Sequence, residues 1–163
     1  MGVSMDKNRL IGLCRARVVT ALLLGYLILF SGYATAEMEF YSISEDVVIM
    51  YDAPSLKADK LFVANRFLPV EVVVEVDGWA KVRDSSGSLA WVEKKALSKH
   101  RYVVVTAPLA GIHKAADADS ELIFQAEQDS VLEWLDAEAT GWVKVRHPDG
   151  QSGYVKVNQV WGS

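Results

Sequence analysis

The chain has 163 residues, 51% of them hydrophobic, with 17 Lys and Arg against 21 Asp and Glu, a formal net charge of −4. With one cysteine no disulfide can close within the chain, and without a basic excess nothing draws nucleic acid or anionic headgroups, whose phosphates require clustered Lys and Arg.

Residues 1–36 read as a secretory signal peptide. Lys7, Arg9, Arg15 and Arg17 precede an apolar run from Val18 to Phe30, and Ala34-Thr35-Ala36 supplies the small residues of a cleavage site, so cleavage is expected between Ala36 and Glu37. The apolar run of 13 residues is shorter than the roughly 20 that a permanent spanning helix needs. An uncleaved anchor is the alternative reading. Cys14 follows Leu13 rather than a small residue, which argues against lipoprotein acylation, and it would leave with the signal. The expected location is periplasmic or secreted, with membrane contact only transient, through the signal peptide. Without residues 1–36, which hold four Lys/Arg and one acidic residue, 13 basic groups face 20 acidic ones, a net of −7.

The remainder reads as strands in chain order: Asp46 to Tyr51, Lys60 to Ala64, Val70 to Val76, Trp79 to Arg83 and Leu89 to Val92, then their counterparts in the second half. Val70-Glu71-Val72-Val73-Val74-Glu75-Val76 alternates apolar with mostly polar positions, is rich in β-branched residues and ends at Asp77-Gly78, the pattern of a half-buried strand. His147-Pro148-Asp149-Gly150 suits a type I turn closed by a left-handed glycine, and Asp84-Ser85-Ser86-Gly87 can make the same turn. No stretch of ten residues carries a convincing helical stripe.

One unit is used twice. Gly78 to Val92 (GWAKVRDSSGSLAWV) lies on Gly141 to Val155 (GWVKVRHPDGQSGYV) with seven of 15 positions identical, where composition alone gives roughly one. Upstream, Tyr51-Asp52-Ala53-Pro54 falls on His113-Lys114-Ala115-Ala116. The first unit is placed at residues 37–98 and the second at 99–163, joined at Ser98-Lys99-His100 without a Pro/Gly/Ser-rich linker. So short a join favours direct packing of the two units, each of a size that is marginal alone.

The motif Gly78-Trp79, Lys81-Val82-Arg83, Gly87, Ala90-Trp91-Val92, repeated as Gly141-Trp142, Lys144-Val145-Arg146, Gly150, Gly153-Tyr154-Val155, resembles the bacterial SH3 domains of exported envelope proteins. The resemblance covers essentially all of residues 37–163. It implies an all-β chain, two tandem small SH3-like β-barrels of five to six strands after the signal peptide, and a role in binding peptidoglycan or an envelope protein, often beside a catalytic domain; no cofactor is expected. Where eukaryotic SH3 domains build a groove for Pro-rich peptides, this chain has Glu93 at the groove proline and Ala96 near a groove tyrosine, with Lys156 and Gln159 in the second unit. Recognition of such peptides, which needs an aromatic-lined groove, is therefore not expected.

The candidate ligand-binding residues are Trp79, Lys81, Arg83, Trp142, Lys144 and Arg146. In Trp79-Ala80-Lys81-Val82-Arg83 alternation puts Ala80 and Val82 on one face and the tryptophan with two cations on the other, where an indole can stack on a sugar or grip an acidic peptide. Against this, a two-residue turn at Asp77-Gly78 would pair Trp79 with Val76, on the face of Val72 and Val74, and make it core. Trp91, Tyr154 and Trp134 read as packing. His100, His113 and His147 have no zinc-site spacing, and the acidic run Asp117 to Glu121 lacks the glycine and terminal ligand of a calcium loop. No nucleophile motif, HExxH or Gly-rich phosphate loop is present, so neither a catalytic nor a metal-ligating residue is assigned. Two readings remain: a binding module that uses the tryptophans, or a structural protein whose paired barrels scaffold a partner.

Overall fold

The computed structural model describes residues 38–138 and 141–163; the expected signal peptide and cleavage position lie outside the described residues. The first half contains β1 (Glu39–Ile43), β2 (Val47–Tyr51), β3 (Lys60–Asn65), β4 (Pro69–Val76), β5 (Trp79–Arg83), β6 (Leu89–Glu93), a 3-10 turn at Lys94–Ala96 and β7 (Leu97–Ser98). The second half repeats the series as β8 (Tyr102–Val105), β9 (Leu109–His113), β10 (Leu122–Glu127), β11 (Val131–Glu138), β12 (Trp142–Arg146), β13 (Ser152–Lys156), a 3-10 turn at Val157–Gln159 and β14 (Val160–Trp161).

Each half forms one seven-stranded antiparallel sheet, ordered β3-β2-β6-β5-β4-β1-β7 and β10-β9-β13-β12-β11-β8-β14. Inward side chains of every strand from β1 to β6 meet in one cluster, among them Ile43, Met50, Ala64, Val70, Val82 and Val92, so the sheet must curl around its own core. Val103, Ile112, Ala126, Leu132, Val145 and Val155 do the same in the second half. The expected barrels are thus curled open sheets. The two ends of the first order, β3 and β7, share no ladder, because β7 is two residues long and both of its pairings go to β1.

Both predicted turns form. The Gly87 N–H donates to the Asp84 carbonyl at 3.0 Å and the Gly150 N–H to the His147 carbonyl at 2.9 Å, and both glycines have positive φ, 87° and 97°. That backbone shape strains any residue with a side chain, which explains a glycine at each.

The halves pack along a seam in the compact unit Met38–Ser163. The Ser42 hydroxyl donates to the His100 carbonyl at 2.6 Å, Phe40 meets Trp161 edge-on at 5.1 Å, and Phe67 stacks on Tyr102 at 4.5 Å. The Arg101 guanidinium lies 4.2 Å from the Trp134 ring centre and donates to the Gly162 carbonyl at 2.9 Å. Its burial lowers the Arg101 pKa, and the facing ring offsets part of that desolvation.

One pH effect arises in β1. The Tyr41 hydroxyl donates to Glu39 Oε1 at 2.7 Å, and this bond, then burial, pushes its pKa from 10.0 up to about 12. Between pH 10 and about 12 the unfolded chain releases a proton that the folded chain keeps, so stability falls as pH rises through this window. Urea unfolding of Tyr41→Phe is expected to show a shallower alkaline loss than the wild type; parallel slopes would mean that the bond does not persist in solution.

Candidate functional site

The candidate site lies on the outer face of the first sheet, around β5. Alternation holds there: Ala80 and Val82 are buried, while Trp79 and Lys81 are partly covered and Arg83 is exposed. The two-residue turn also holds, since Val76 pairs with Trp79 across Asp77-Gly78, with Gly78 at φ 71°. Both sequence arguments were right about the backbone, and a β-bulge decides between their consequences. The β4–β5 register shifts between Val72 and Val74, so Val72 lies opposite the core residue Val82 while Val74 and Val76 lie opposite Lys81 and Trp79. An extra residue in one strand reverses the facing of everything beyond it. Val74 and Val76 consequently turn outward, 46% and 40% exposed, and flank Trp79 instead of burying it.

Tyr51 supports the indole from β2, edge-on at 5.5 Å, and Trp91 pairs with both Tyr51 and Lys81. Arg83 is held rather than free. It donates from Nε and Nη2 to Glu71 at 2.9 and 2.7 Å, a bidentate pair that raises its pKa, chiefly through the hydrogen bond. The available surface is therefore an apolar patch of Val74, Val76 and Trp79 beside one cation, Lys81.

The second sheet copies the frame and changes the surface. His113 meets Trp142 edge-on at 5.5 Å, as Tyr51 meets Trp79, and the bulge recurs between Trp134 and Asp136. The register positions opposite Lys144 and Trp142 are occupied by Asp136 and Glu138, where the first sheet has valines. Trp142 is only 7% exposed, with Lys156 Nζ 5.6 Å from its ring centre. Lys144 lies over Tyr154 at 5.7 Å and Arg146 pairs with Glu133 at 3.4 Å. Of the six sequence candidates, Trp79 and Lys81 are brought together on an accessible apolar face; Trp142, Lys144 and Arg146 are engaged within the second unit.

The profile of the bacterial SH3 domain matches residues 44–99 and again residues 107–162. The chain belongs to the bacterial SH3 domain family. Solved structures similar to it include NlpC1 and NlpC2 from Trichomonas vaginalis, 14% and 16% identical, covering 82% and 80% of this chain and 49% and 50% of theirs, each with a TM-score of 0.38. A NlpC/P60 family protein from Bacillus cereus ATCC 10987 is 16% identical over 74% of this chain and 55% of its own, with a TM-score of 0.35. The chain spans about half the length of these proteins. No curated protein matches it.

In the first SH3 domain the position of the eukaryotic groove proline holds Glu93, paired with Lys95 at 3.1 Å, and Ala96 is buried in the core. Sequence reasoning missed Val74 and Val76 as surface residues. The available signal was Val72-Val73-Val74, three apolar residues that break a period of two and mark the bulge. Trp134 packs against the second core, as read from its strand pattern. Among the described residues no three His, Cys, Asp or Glu side chains gather as metal ligands.

Proposed function

We propose that this chain is a non-catalytic, exported binding module of the bacterial cell envelope whose first SH3 domain contacts peptidoglycan through the Val74-Val76-Trp79 face. The observation that carries the reading is that patch: three neighbouring apolar side chains on the outside of a sheet, present in one domain and replaced by acidic register positions in the other. A contiguous apolar surface is costly to leave in water and marks a contact site. An indole edged by aliphatic groups, with Lys81 alongside, suits the mixed apolar and polar faces of a glycan carrying acidic peptides. Export rests on the order of charges, apolar run and small residues in 1–36, with release near Ala36-Glu37 into the periplasm or medium.

Co-sedimentation with isolated sacculi tests it. Wild-type protein is expected to pellet, and Trp79→Ala and Val76→Lys, both with native circular dichroism, to remain mostly in solution. Pelleting by both variants at the wild-type level would remove this face. If the wild type itself stays soluble, peptidoglycan is removed and an envelope protein becomes the ligand to seek. The seam supports a second reading, a scaffold that holds two domains in fixed relation for such a partner, because side chains from both domains interlock there.

A further inference from the structure

The two domains set opposite charges against the same tryptophan. Lys156 lies opposite Trp142 across β12 and β13, and its Nζ stands 5.6 Å from the indole centre, over a ring that is only 7% exposed. The matching register position in the first domain, opposite Trp79 across β5 and β6, is Glu93. Among the described residues no Lys or Arg stands over the Trp79 ring. The second domain thus closes its indole with an ammonium from its own chain. The first leaves the same ring open with a carboxylate beside it, since side chains directly opposite in an antiparallel pair are neighbours, with Cβ atoms about 5 Å apart.

An indole face and a carboxylate together favour a cation, because the ring quadrupole attracts it and the carboxylate pairs with it. Glu93 has the capacity for this. Lys95 meets it at one oxygen, Oε1, at 3.1 Å and with a side chain 70% exposed, a weak surface pair, and Oε2 has no partner among the described residues. The neighbouring Lys94 is held by Glu75 at 2.6 Å. Lys81 lies one row along the sheet, opposite Val74 and Trp91 rather than Trp79. Ammonium groups fit both rows at once in the second domain, where Lys144 stands 5.7 Å from the Tyr154 ring while Lys156 covers Trp142. Val74 and Val76, outward beside the indole, offer apolar surface of the kind along which the methylene stem of a lysine-like side chain lies.

We propose that the Trp79 face reads an aliphatic primary ammonium group, the free side-chain amine of a diamino acid in the peptidoglycan peptide. The ammonium lies over the indole and pairs with Glu93, and its methylene stem runs along Val74 and Val76. The proposal rests on the peptidoglycan reading of this face and adds the group that is recognised. Peptides whose amine has been converted to an amide in a cross-link are consequently bound less well than free ones.

The test is co-sedimentation with native sacculi and with sacculi whose free amines have been acetylated by acetic anhydride. Wild-type protein is expected to bind the acetylated form about three- to tenfold more weakly. Glu93→Gln, with native circular dichroism, is expected to bind native sacculi as weakly as the wild type binds acetylated ones, and to respond little to acetylation. Glu93→Lys, which repeats the Trp142 arrangement and covers the indole from its own chain, is expected to pellet with neither form. Equal binding of the wild type to both forms would overturn the proposal and leave the apolar face as a wall contact. Acetylation that weakens Glu93→Gln as much as the wild type would be a general charge effect and would overturn it too. If the wild type does not bind native sacculi, the peptidoglycan reading fails and this proposal with it.

Discussion

Trp142→Ala is expected to destabilise the protein by about 3–5 kcal/mol, the cost of removing a buried aromatic, while Trp79→Ala is expected to cost about 1–2 kcal/mol and to abolish the proposed peptidoglycan binding. The two residues occupy the same position of the same motif, and each meets an aromatic neighbour edge-on at 5.5 Å. Their difference lies in what covers the ring. Lys156 lies over Trp142, which keeps only 7% of its surface in water, whereas Trp79 is flanked by the outward Val74 and Val76. Urea unfolding of the two variants checks this: the midpoint should fall much further for Trp142→Ala, with the dependence on urea unchanged. Equal losses would mean that Trp79 is as much a packing residue as Trp142, and the outer-face site would then rest on the valines alone.

The repeated GWxKVR motif made the fold legible, because a motif used twice fixes the length of the unit and the phase of its strands. Trp79 to Arg83 was read as a strand with its observed limits, and both glycine-closed turns follow from residue type. The short β7 and the N-terminal β1 were not read from the pattern. The Leu97–Ser98 strand is too short to carry a period, and β1, with Phe40, Tyr41 and Ile43, lacks clean alternation. These two strands bring the five read from the pattern to the seven of the sheet. The site was only partly legible for a different reason. Facing depends on counting residues from a fixed point, and the bulge at Val73 adds one to the count, which turns two expected core valines into surface. The seam pair Phe67 and Tyr102 was invisible, since the two residues come from different domains and the unusual feature of Phe67 is a backbone angle.

Gly153→Ala is expected to cost about 1–3 kcal/mol, the upper end being favoured by the rigidity of what the new methyl meets. A Cβ built at Gly153 falls 2.6 Å from the His113 carbonyl oxygen and 2.6 Å from Ile112 Cγ2, so backbone obstructs it on one side and a β-branched side chain on the other. The first domain holds Ala90 at the same motif position, buried at 2%, and the residue that precedes its Tyr51 is Met50 rather than isoleucine. An unbranched thioether can yield to a methyl where Ile112 cannot. The double variant Gly153→Ala/Ile112→Met reproduces the pair found in the first domain and is expected to recover about half of the loss in urea unfolding. Recovery would locate the obstruction in Ile112; no recovery would locate it in the His113 carbonyl. In the second case β9 must move away from β13, carrying His113 off the Trp142 ring, and the emission of Trp142 should shift to the red in the folded variant as water reaches the indole.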